Sequence, residues 1–234
     1  MEINISSSVL NRYPKTTIGY VIAEVKDELE QNYVESLKKK LYDQLVIQGI
    51  TQKNLTTHTH INEWRNVYRD YGVELSKFRS FIEALVRRII RGQELWQVSS
   101  VVDLYNCVSV LTLFLIGGYD FSKIVEDISL RYGRPQEVFI PLGSSETIPV
   151  NKKQVVYADN NKILCYLWNY KDSRLSAIDL DTKKAIFFLD SAFIPQVFSM
   201  EEAVVKSLLQ HLTQIGGIEL ASGVLDAKKV SIKL

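Results

Sequence analysis

Two polar side chains lie inside the most apolar stretch of the chain, which runs from Val101 to Asp120. Asp103 and Asn106 are three residues apart, so a helix would place them on one face. Because a polar group among apolar residues needs a hydrogen-bond partner or water, the pair either braces a neighbouring backbone or points into a pocket. Gly117 and Gly118 are predicted to form a turn at the end of the stretch, where a backbone or a ligand can approach closely. The residues alone leave both interpretations open.

The arginines form a second group of residues whose spacing suggests a possible binding role. They surround one predicted helix and the helix before it: Arg79, Arg87, Arg88 and Arg91, preceded by Arg65 and Arg69. Such a cluster can contact the phosphate groups of a nucleic acid. It is also typical of a solvated helix face, because Glu83 and Arg87 are four residues apart and can form an ion pair. From the residues alone we favour the solvated face.

Other chemistries find little support. His58 and His60 are two residues apart and fall on different sides of a helix, and with His211 they do not predict a metal site. The two cysteines match no metal-ligand spacing, and Cys107 lies in an apolar run, where a buried structural thiol is expected rather than a nucleophile. A Ser-His-Asp triad stays open, but no nucleophile elbow occurs. No phosphate loop or dinucleotide fingerprint is present, so no cofactor is predicted.

Composition and charge narrow the classes of partner. The chain has 234 residues, of which 46% are hydrophobic and 24% charged, as in an ordinary globular protein. A net charge of +1 means that a nucleic acid would be held by a local patch rather than by the whole surface. The uncharged run from Leu104 to Tyr119 is shorter than the roughly 20 residues of a membrane-spanning helix, so no membrane partner is predicted. The lack of a secretory signal and the distant cysteines predict a cytoplasmic protein.

Three amphipathic helices are predicted to follow a first strand, Thr16 to Val25. Their apolar residues recur every three or four positions, over Leu29 to Leu45, Ile61 to Tyr71 and Phe81 to Ile89. Asp27 is expected to cap the first helix, and Ser80 to open the third with a capping box. Glycines are expected to end the helices, at Gly49, Gly72 and Gly92 in turn. The stretch from Ser100 is predicted to be partly helical.

The second half of the chain changes its hydrophobic period. Short apolar or alternating runs separated by polar turns predict strands in EVFIPLG, QVVYAD, KILCYLW and KAIFFL. A further helix is predicted from Ser199 to a Gly216-Gly217 stop, and a last strand from Val230 to Lys233. The order predicts an α+β protein, with a helical N-terminal half packed on a mixed, mostly antiparallel sheet. No boundary is visible, so residues 1–234 are predicted to form a single domain.

Five short motifs occur in one order along the second half of the chain. They are Val101–Val108 (VVDLYNCV), Tyr119–Asp120, Ile128–Arg131, Val155–Asp159 and Leu189–Phe193. In order and in spacing they resemble the B3/B4 editing module of the bacterial phenylalanyl-tRNA synthetase beta chain. The resemblance covers about residues 98–195 and implies a core of the B3/B4 editing-domain type. Residues 1–97 would then be a helical addition, similar to that of free-standing relatives, and residues 199–234 a C-terminal helix and strand.

The resemblance implies a function in translation fidelity. In the synthetase, the module hydrolyses tyrosine that is wrongly attached to the phenylalanine tRNA. Nothing here resembles the synthetase's catalytic domain, so the chain is expected not to charge tRNA itself. The implied function is that of a trans-editing deacylase, which binds the acylated 3′ end of a mischarged tRNA and hydrolyses the ester. The alternatives are a non-catalytic module that binds an amino acid or a tRNA end, and a scaffold that docks on a synthetase. DNA is not an expected partner.

The resemblance also implies site residues, although several depart from the family pattern. Gly117 stands where the family has a histidine, and Asp190 where it has a glutamate. The expected substrate-binding residues are Tyr105, Asn106, Gly117, Gly118, Trp168, Asn169 and Asp190, of which Asn106 and Asp190 are the best candidates for catalysis. The residues expected to contact tRNA phosphate are Arg79, Arg87, Arg88 and Arg91. Trp168 and Asn169 replace glycines, so the pocket is expected to be smaller than one that accepts a tyrosyl group.

Overall fold

The fold consists of helices and sheets. A computed structural model describes residues 1–26, 31–192 and 197–234. The helices are α1 (Ser7–Arg12), α2 (Gln31–Ile47), α3 (Thr59–Asp70), α4 (Phe81–Ile89), α5 (Ser100–Thr112) and α6 (Val197–Gln214). The strands are β1 (Glu2–Ile5), β2 (Thr17–Glu24), β3 (Leu115–Asp120), β4 (Ile128–Tyr132), β5 (Val138–Phe139), β6 (Ile148–Pro149), β7 (Val155–Ala158), β8 (Ile163–Tyr166), β9 (Lys171–Asp172), β10 (Lys184–Ser191), β11 (Ile218–Leu225) and β12 (Ser231–Lys233).

Two larger sheets and one small sheet contain these strands. The order is β12-β1-β4-β7-β8-β9 in the six-stranded sheet and β11-β2-β10-β3 in the four-stranded sheet, and β5 pairs with β6. Strands β1 and β4 run parallel, with Ile3 opposite Ile128. The other pairs formed by these strands are antiparallel. The predicted α+β fold with a mixed, mostly antiparallel sheet is confirmed.

The predicted helices of the first half are confirmed, and the ends that can be compared lie within about two residues of the predicted ones. Helix α2 buries a face of apolar residues that includes Leu37, Leu41 and Leu45. The glycines expected to end α2, α3 and α4 all have φ between 71° and 74°, which glycine adopts without strain. Ser80 caps α4 by accepting a hydrogen bond from the amide of Glu83. The predicted cap Asp27 and the apolar Leu29 lie outside the residues that the structure describes.

The four-stranded sheet has a different layer on each of its faces. Ring centroids of Tyr105 on α5 and Phe187 on β10 lie 5.9 Å apart, so α5 covers the face that carries Phe187. The next residue, Phe188, stacks on Tyr157 of β7 at 4.7 Å, so the opposite face packs against the six-stranded sheet. Because side chains alternate along a strand, Asp190 shares the face of Phe188. This side of β10, between the two sheets, holds the candidate site.

One prediction about the stretch from Val101 to Asp120 is wrong. Helix α5 ends at Thr112, and Leu113 reverses the chain with a left-handed φ of 59°. Gly117 and Gly118 then lie inside strand β3, opposite Phe188 and Phe187 of β10, instead of forming a turn. Glycine is uncommon inside a strand, so the local pattern favoured a turn, but close packing at Gly118 requires a residue without a side chain.

Some helices and strands of the structure were not predicted, and some predicted segments include residues that the structure does not describe. Strands β1 and β11 and the short helix α1 were not predicted from the sequence pattern. Helix α6 begins at Val197, two residues before the expected start, and the side chain of Ser199 is outside the description. The predicted Leu189–Phe193 strand is β10 as far as Ser191, and Phe193 likewise lies outside the described residues.

Candidate functional site

Asp190 is a buried carboxylate at the centre of the candidate site. Its side chain lies between the two sheets, and the residue is 2% exposed. The Tyr157 hydroxyl donates to Oδ1 at 2.5 Å, and Nδ2 of Asn169 donates to Oδ2 at 2.8 Å. Burial raises the pKa of Asp190 to about 6, while the bonds from Tyr157 and Asn169 act to lower it. The indole N–H of Trp168 is close enough to the carboxyl group to lower this pKa as well, although its geometry is not that of a hydrogen bond. The carboxyl group can therefore exchange a proton near neutral pH.

A second carboxyl group, Asp172 on β9, belongs to the same network. The Tyr119 hydroxyl donates to its Oδ1 at 3.1 Å. Burial raises the pKa of Asp172 to about 6, and hydrogen bonds from Tyr119 and Cys165 lower it. The backbone N–H of Asn169 donates to Cys165 Sγ at 3.3 Å. Asn169 and Cys165 therefore link the two carboxyl groups. Sequence reasoning missed Asp172 and the two tyrosines, although each lies within or beside a segment that carried the resemblance.

The turn between β8 and β9 has an unusual backbone. Leu167, Trp168 and Asn169 have φ values of 57°, 38° and 74°, in the left-handed region that favours glycine. Non-glycine residues in such conformations cost on the order of 1–3 kcal/mol each, and surrounding contacts must hold them. The Trp168 amide donates to the carbonyl of Val155 at 2.8 Å, and the Asn169 carbonyl accepts from the amide of Phe81 at 3.0 Å. The turn thus keeps a backbone suited to glycines while carrying large side chains.

Trp168 fills the space behind this turn. The residue is fully buried, and its ring meets Trp64 edge-on at 5.2 Å and Tyr13 edge-on at 5.5 Å. Its indole nitrogen is buried and makes no hydrogen bond with the residues that the structure describes. Trp168 therefore fills the space between Asp190 and two aromatic side chains, Trp64 of α3 and Tyr13 after α1.

Little space remains in the candidate site. A cavity of about 10 Å³ lies beside the turn, and its lining residues are Phe81, Leu115, Ile116, Gly117, Asn169, Tyr170, Lys171 and Asp172. That is room for about one water molecule. A substrate larger than water enters only if side chains of the turn move.

Asn106 and Asp190 are not brought together. Asn106 lies on α5, which covers the opposite face of the four-stranded sheet from Asp190. Its Oδ1 is buried and has no hydrogen-bond partner among the described residues. Asp103, by contrast, accepts from Lys38 at 2.7 Å and from the amide of Val98 at 3.0 Å, so it braces its neighbours. The predicted residues therefore divide into two groups: Tyr105, Asn106 and Gly118 lie on the helical side, and Gly117, Trp168, Asn169 and Asp190 lie towards the other sheet.

The two adjacent glycines of β3 differ in how much room surrounds them. A Cβ atom at Gly118 would lie 3.0 Å from side-chain atoms of Tyr105, Ile178 and Phe187, whereas at Gly117 it would meet only the Tyr119 ring, at 3.3 Å or more. We expect Gly118→Ala to destabilise the fold by about 1–3 kcal/mol through overpacking, and Gly117→Ala by less than about 1 kcal/mol. Urea denaturation of both variants measures the difference. Equal losses would show that Tyr105 does not need the space at Gly118.

The predicted arginine cluster is partly engaged inside the protein. Glu83 is fully buried and pairs with both Arg65 and Arg87 at 2.8 Å, which confirms the i, i+4 pair weighed from the sequence. Arg88 Nε donates to the Glu94 carbonyl, and its guanidinium lies 4.1 Å from the centre of the Trp96 ring. The other two predicted phosphate contacts, Arg79 and Arg91, form no ion pair with the described residues. Phosphate contact at these four positions stays a prediction.

The histidines and cysteines do not add a metal centre to the described part of the chain. The rings of His58 and His60 stack at 5.9 Å, and burial lowers the pKa of His60 to about 4. Cys107 is fully buried, and burial raises the pKa of its thiol to about 12, as suits a structural thiol. Within residues 1–26, 31–192 and 197–234, no three His, Cys, Asp or Glu side chains converge as metal ligands would. None of the helices described there is long and apolar enough to cross a bilayer.

Similarity to known proteins extends over most of the chain. The sequence matches the family model described as the B3/4 domain over residues 63–203, which is more than half of its length. No curated protein matches it. Among solved structures it is similar to an N-terminal fragment of the phenylalanyl-tRNA synthetase beta-subunit from Pyrococcus horikoshii, at 13% identity and a TM-score of 0.48. That similarity covers 93% of this chain and 49% of the fragment, so the chain spans about half the length of this structural relative. The chain belongs to the B3/4 domain family.

Proposed function

We propose that this protein is a trans-editing factor that hydrolyses the ester of a mischarged aminoacyl-tRNA in the cytoplasm. Asp190 supports this most directly, because it is a buried carboxyl group with a pKa of about 6 at the position where related editing modules carry a glutamate. A group that titrates near the working pH is suited to general acid–base chemistry. The partner is the acylated 3′ end of a tRNA, and a synthetase is a further candidate partner.

The proposed reaction uses Asp190 as the proton acceptor. Tyr157 and Asn169 each occupy one lone pair of the carboxylate, so each oxygen keeps another for a water molecule. The water oxygen attacks the ester carbonyl while its proton passes to Asp190. The bond from the carbonyl carbon to the ribose oxygen then breaks, and the proton goes to that oxygen. Backbone amides and the terminal hydroxyl of the tRNA stabilise the oxyanion, and they also orient the water, for which the family histidine that Gly117 replaces is a candidate.

The size of the site limits the aminoacyl group in this proposal. The cavity beside Asn169 holds about one water molecule, and the neighbouring Trp168 side chain is fully buried. A small aminoacyl group requires a smaller rearrangement than a tyrosyl group. The proposed substrates are therefore small aminoacyl esters, such as glycyl, alanyl and seryl esters.

One observation favours a second function, a binding module without chemistry. Both oxygens of Asp190 already accept hydrogen bonds, and the small cavity beside the turn is lined by Asn169 and Asp172 but not by Asp190. In this alternative the network stabilises the fold, and the tRNA end or an amino acid binds elsewhere on the surface.

Deacylation of a panel of mischarged tRNAs separates the two functions. We expect release of one small amino acid, linear with time beyond one equivalent per protein, and at least tenfold faster than release of tyrosine. Heat-denatured protein and the same tRNAs correctly charged serve as controls. If the whole panel remains acylated while the tRNA still binds, the module is a binder and the hydrolase proposal is wrong.

A further inference from the structure

A second surface carries features that suit a nucleic acid, and we call it the tyrosine groove. It is an open groove of about 300 Å³, lined by Tyr13, Tyr71 and Tyr132 together with Arg12, Lys152 and Lys153, and Asp70 lies at its side. None of these residues belongs to the arginine cluster predicted from the sequence. The groove is formed where the end of α1, the end of α3, strand β4 and the loop before β7 meet.

The charge of the tyrosine groove is positive. Arg12 is 59% exposed and pairs with Asp70 at 2.7 Å, so these two charges offset each other. Lys152 and Lys153 are exposed, and neither forms an ion pair with any residue that the structure describes. With the Arg12–Asp70 pair neutral, the two lysines leave the groove with a local surplus of two positive charges. The surplus favours an anionic partner, such as a phosphate backbone.

Aromatic rings distinguish this groove from a simple anion site. Tyr71 is 8% exposed and stacks on Tyr68 at 6.0 Å, and its hydroxyl is buried without a partner in hydrogen-bonding geometry in the described part of the chain. The Arg12 guanidinium lies 5.9 Å from the centre of the Tyr13 ring. Tyr13 is only 1% exposed, so Tyr13 and Tyr71 form the floor of the groove, and the partly exposed Tyr132 is the ring that a base can reach. A ring beside cations suits single-stranded RNA, because a base stacks on the ring while phosphates meet the charges.

The groove lies close to the candidate site. Tyr13 in the groove meets Trp168 edge-on at 5.5 Å, and the indole N–H of Trp168 lies on the side of Asp190. Two buried side chains, Tyr13 and Trp168, therefore lie between the groove and the carboxyl group of Asp190. A strand that lies in the groove would reach Asp190 only if one of these rings moved.

We infer that the tyrosine groove binds single-stranded RNA, with Lys152 and Lys153 on the phosphates and the partly exposed ring of Tyr132 against a base. That the strand is the 3′ end of a tRNA rests on the proposed function. Binding itself does not, because it requires neither an ester nor Asp190.

Fluorescence anisotropy tests whether the groove binds a short labelled RNA that ends in a CCA sequence without an attached amino acid. We expect the double variant Lys152→Glu, Lys153→Glu to weaken binding at low salt by at least tenfold, and to reduce the slope of log Kd against log salt by about 1.4, for two lost phosphate contacts on a single strand. The matched control is Lys228→Glu, Lys229→Glu, which makes the same charge change in the exposed loop between β11 and β12. Equal weakening by the two double variants would overturn the assignment.

A second variant tests the rings separately from the charges. Tyr132→Leu keeps an apolar side chain but removes the ring, and we expect it to weaken binding of the RNA about tenfold and to leave binding of an abasic strand of equal length unchanged. Equal loss for both strands, or competition by polyglutamate as strong as by RNA, would show that the groove takes any polyanion. The RNA in this assay carries no amino acid. A protein that binds it in the groove but hydrolyses no ester therefore contradicts only the proposed function.

Discussion

Replacing Asp190 by asparagine is expected to abolish ester hydrolysis and, at about pH 8, to make the folded protein more stable. Asparagine has the shape of aspartate but cannot take a proton from water. Tyr157 and Asn169 keep partners, because the new amide supplies one acceptor and one donor, and the Tyr157 hydroxyl can reverse its role. General base catalysis is worth about a hundred- to ten-thousandfold, and we expect a loss of at least a hundredfold in rate.

The stability gain follows from the pKa of Asp190, which is about 6 in the folded protein and near that of an ordinary aspartate when unfolded. Below about pH 4 the carboxyl is protonated in both states and contributes no pH dependence. Between about pH 4 and 6 the folded state holds a proton that the unfolded state has lost, so stability falls as pH rises. Above about pH 6 the folded protein carries the full cost of a buried charge, on the order of 3 kcal/mol. Asparagine removes that cost.

Urea unfolding of the wild type and Asp190→Asn at about pH 4.5 and pH 8 measures the effect. We expect the variant to be about 1–3 kcal/mol more stable than the wild type at the higher pH, and this advantage to be smaller by about 2 kcal/mol at the lower pH, where the folded carboxyl is protonated. Asp43→Asn, on the exposed side of α2, is the matched control and should show no such change between the two pH values. A variant that is less stable at both would mean that Asp190 is ionised and structurally required. A variant that keeps its deacylase activity would remove Asp190 from the reaction.

The helices and most strands could be predicted because their signals are local. The apolar face of α2 repeats every four residues through Leu37, Leu41 and Leu45, and Ser80 caps α4 within three residues of its partner. Strand β1 gives no comparable signal, because it has only four residues and depends on β4 and β12 for its pairing. A pattern within the segment could not reveal partners more than a hundred residues away.

The site was predicted only in part, for the same physical reason. The resemblance placed Asp190, Asn169 and Trp168 in one site, but no pattern could show that Tyr157, 33 residues away, bonds to Asp190. The role of Gly118 likewise depends on tertiary packing, because it leaves room for the Tyr105 ring of a helix that covers the sheet. Glycine in a sequence shows that a side chain is absent, and only the fold shows what occupies the space.

Trp168 gives the second large expected effect, on both stability and substrate choice. We expect Trp168→Ala and Trp168→Gly to destabilise the fold by about 3–5 kcal/mol, because each leaves a cavity where a fully buried indole packs on Trp64 and Tyr13. The glycine variant should be the more stable of the two by about 1 kcal/mol, because φ at this position is 38°, where alanine is strained and glycine is not. Both variants open space beside Asp190, so tyrosyl esters should be hydrolysed at least tenfold faster than by the wild type.

Trp64 offers a matched control in which the order of stability reverses. It is also buried and contacts the same indole, but it lies inside helix α3, where glycine costs about 1 kcal/mol relative to alanine. We therefore expect Trp64→Gly to be less stable than Trp64→Ala, and urea unfolding of the four variants measures both differences. If glycine is the worse substitution at both positions, the turn at Trp168 relaxes to an ordinary conformation once the ring is gone. Its left-handed backbone would then be a consequence of packing the indole, rather than a fixed frame that the indole fills.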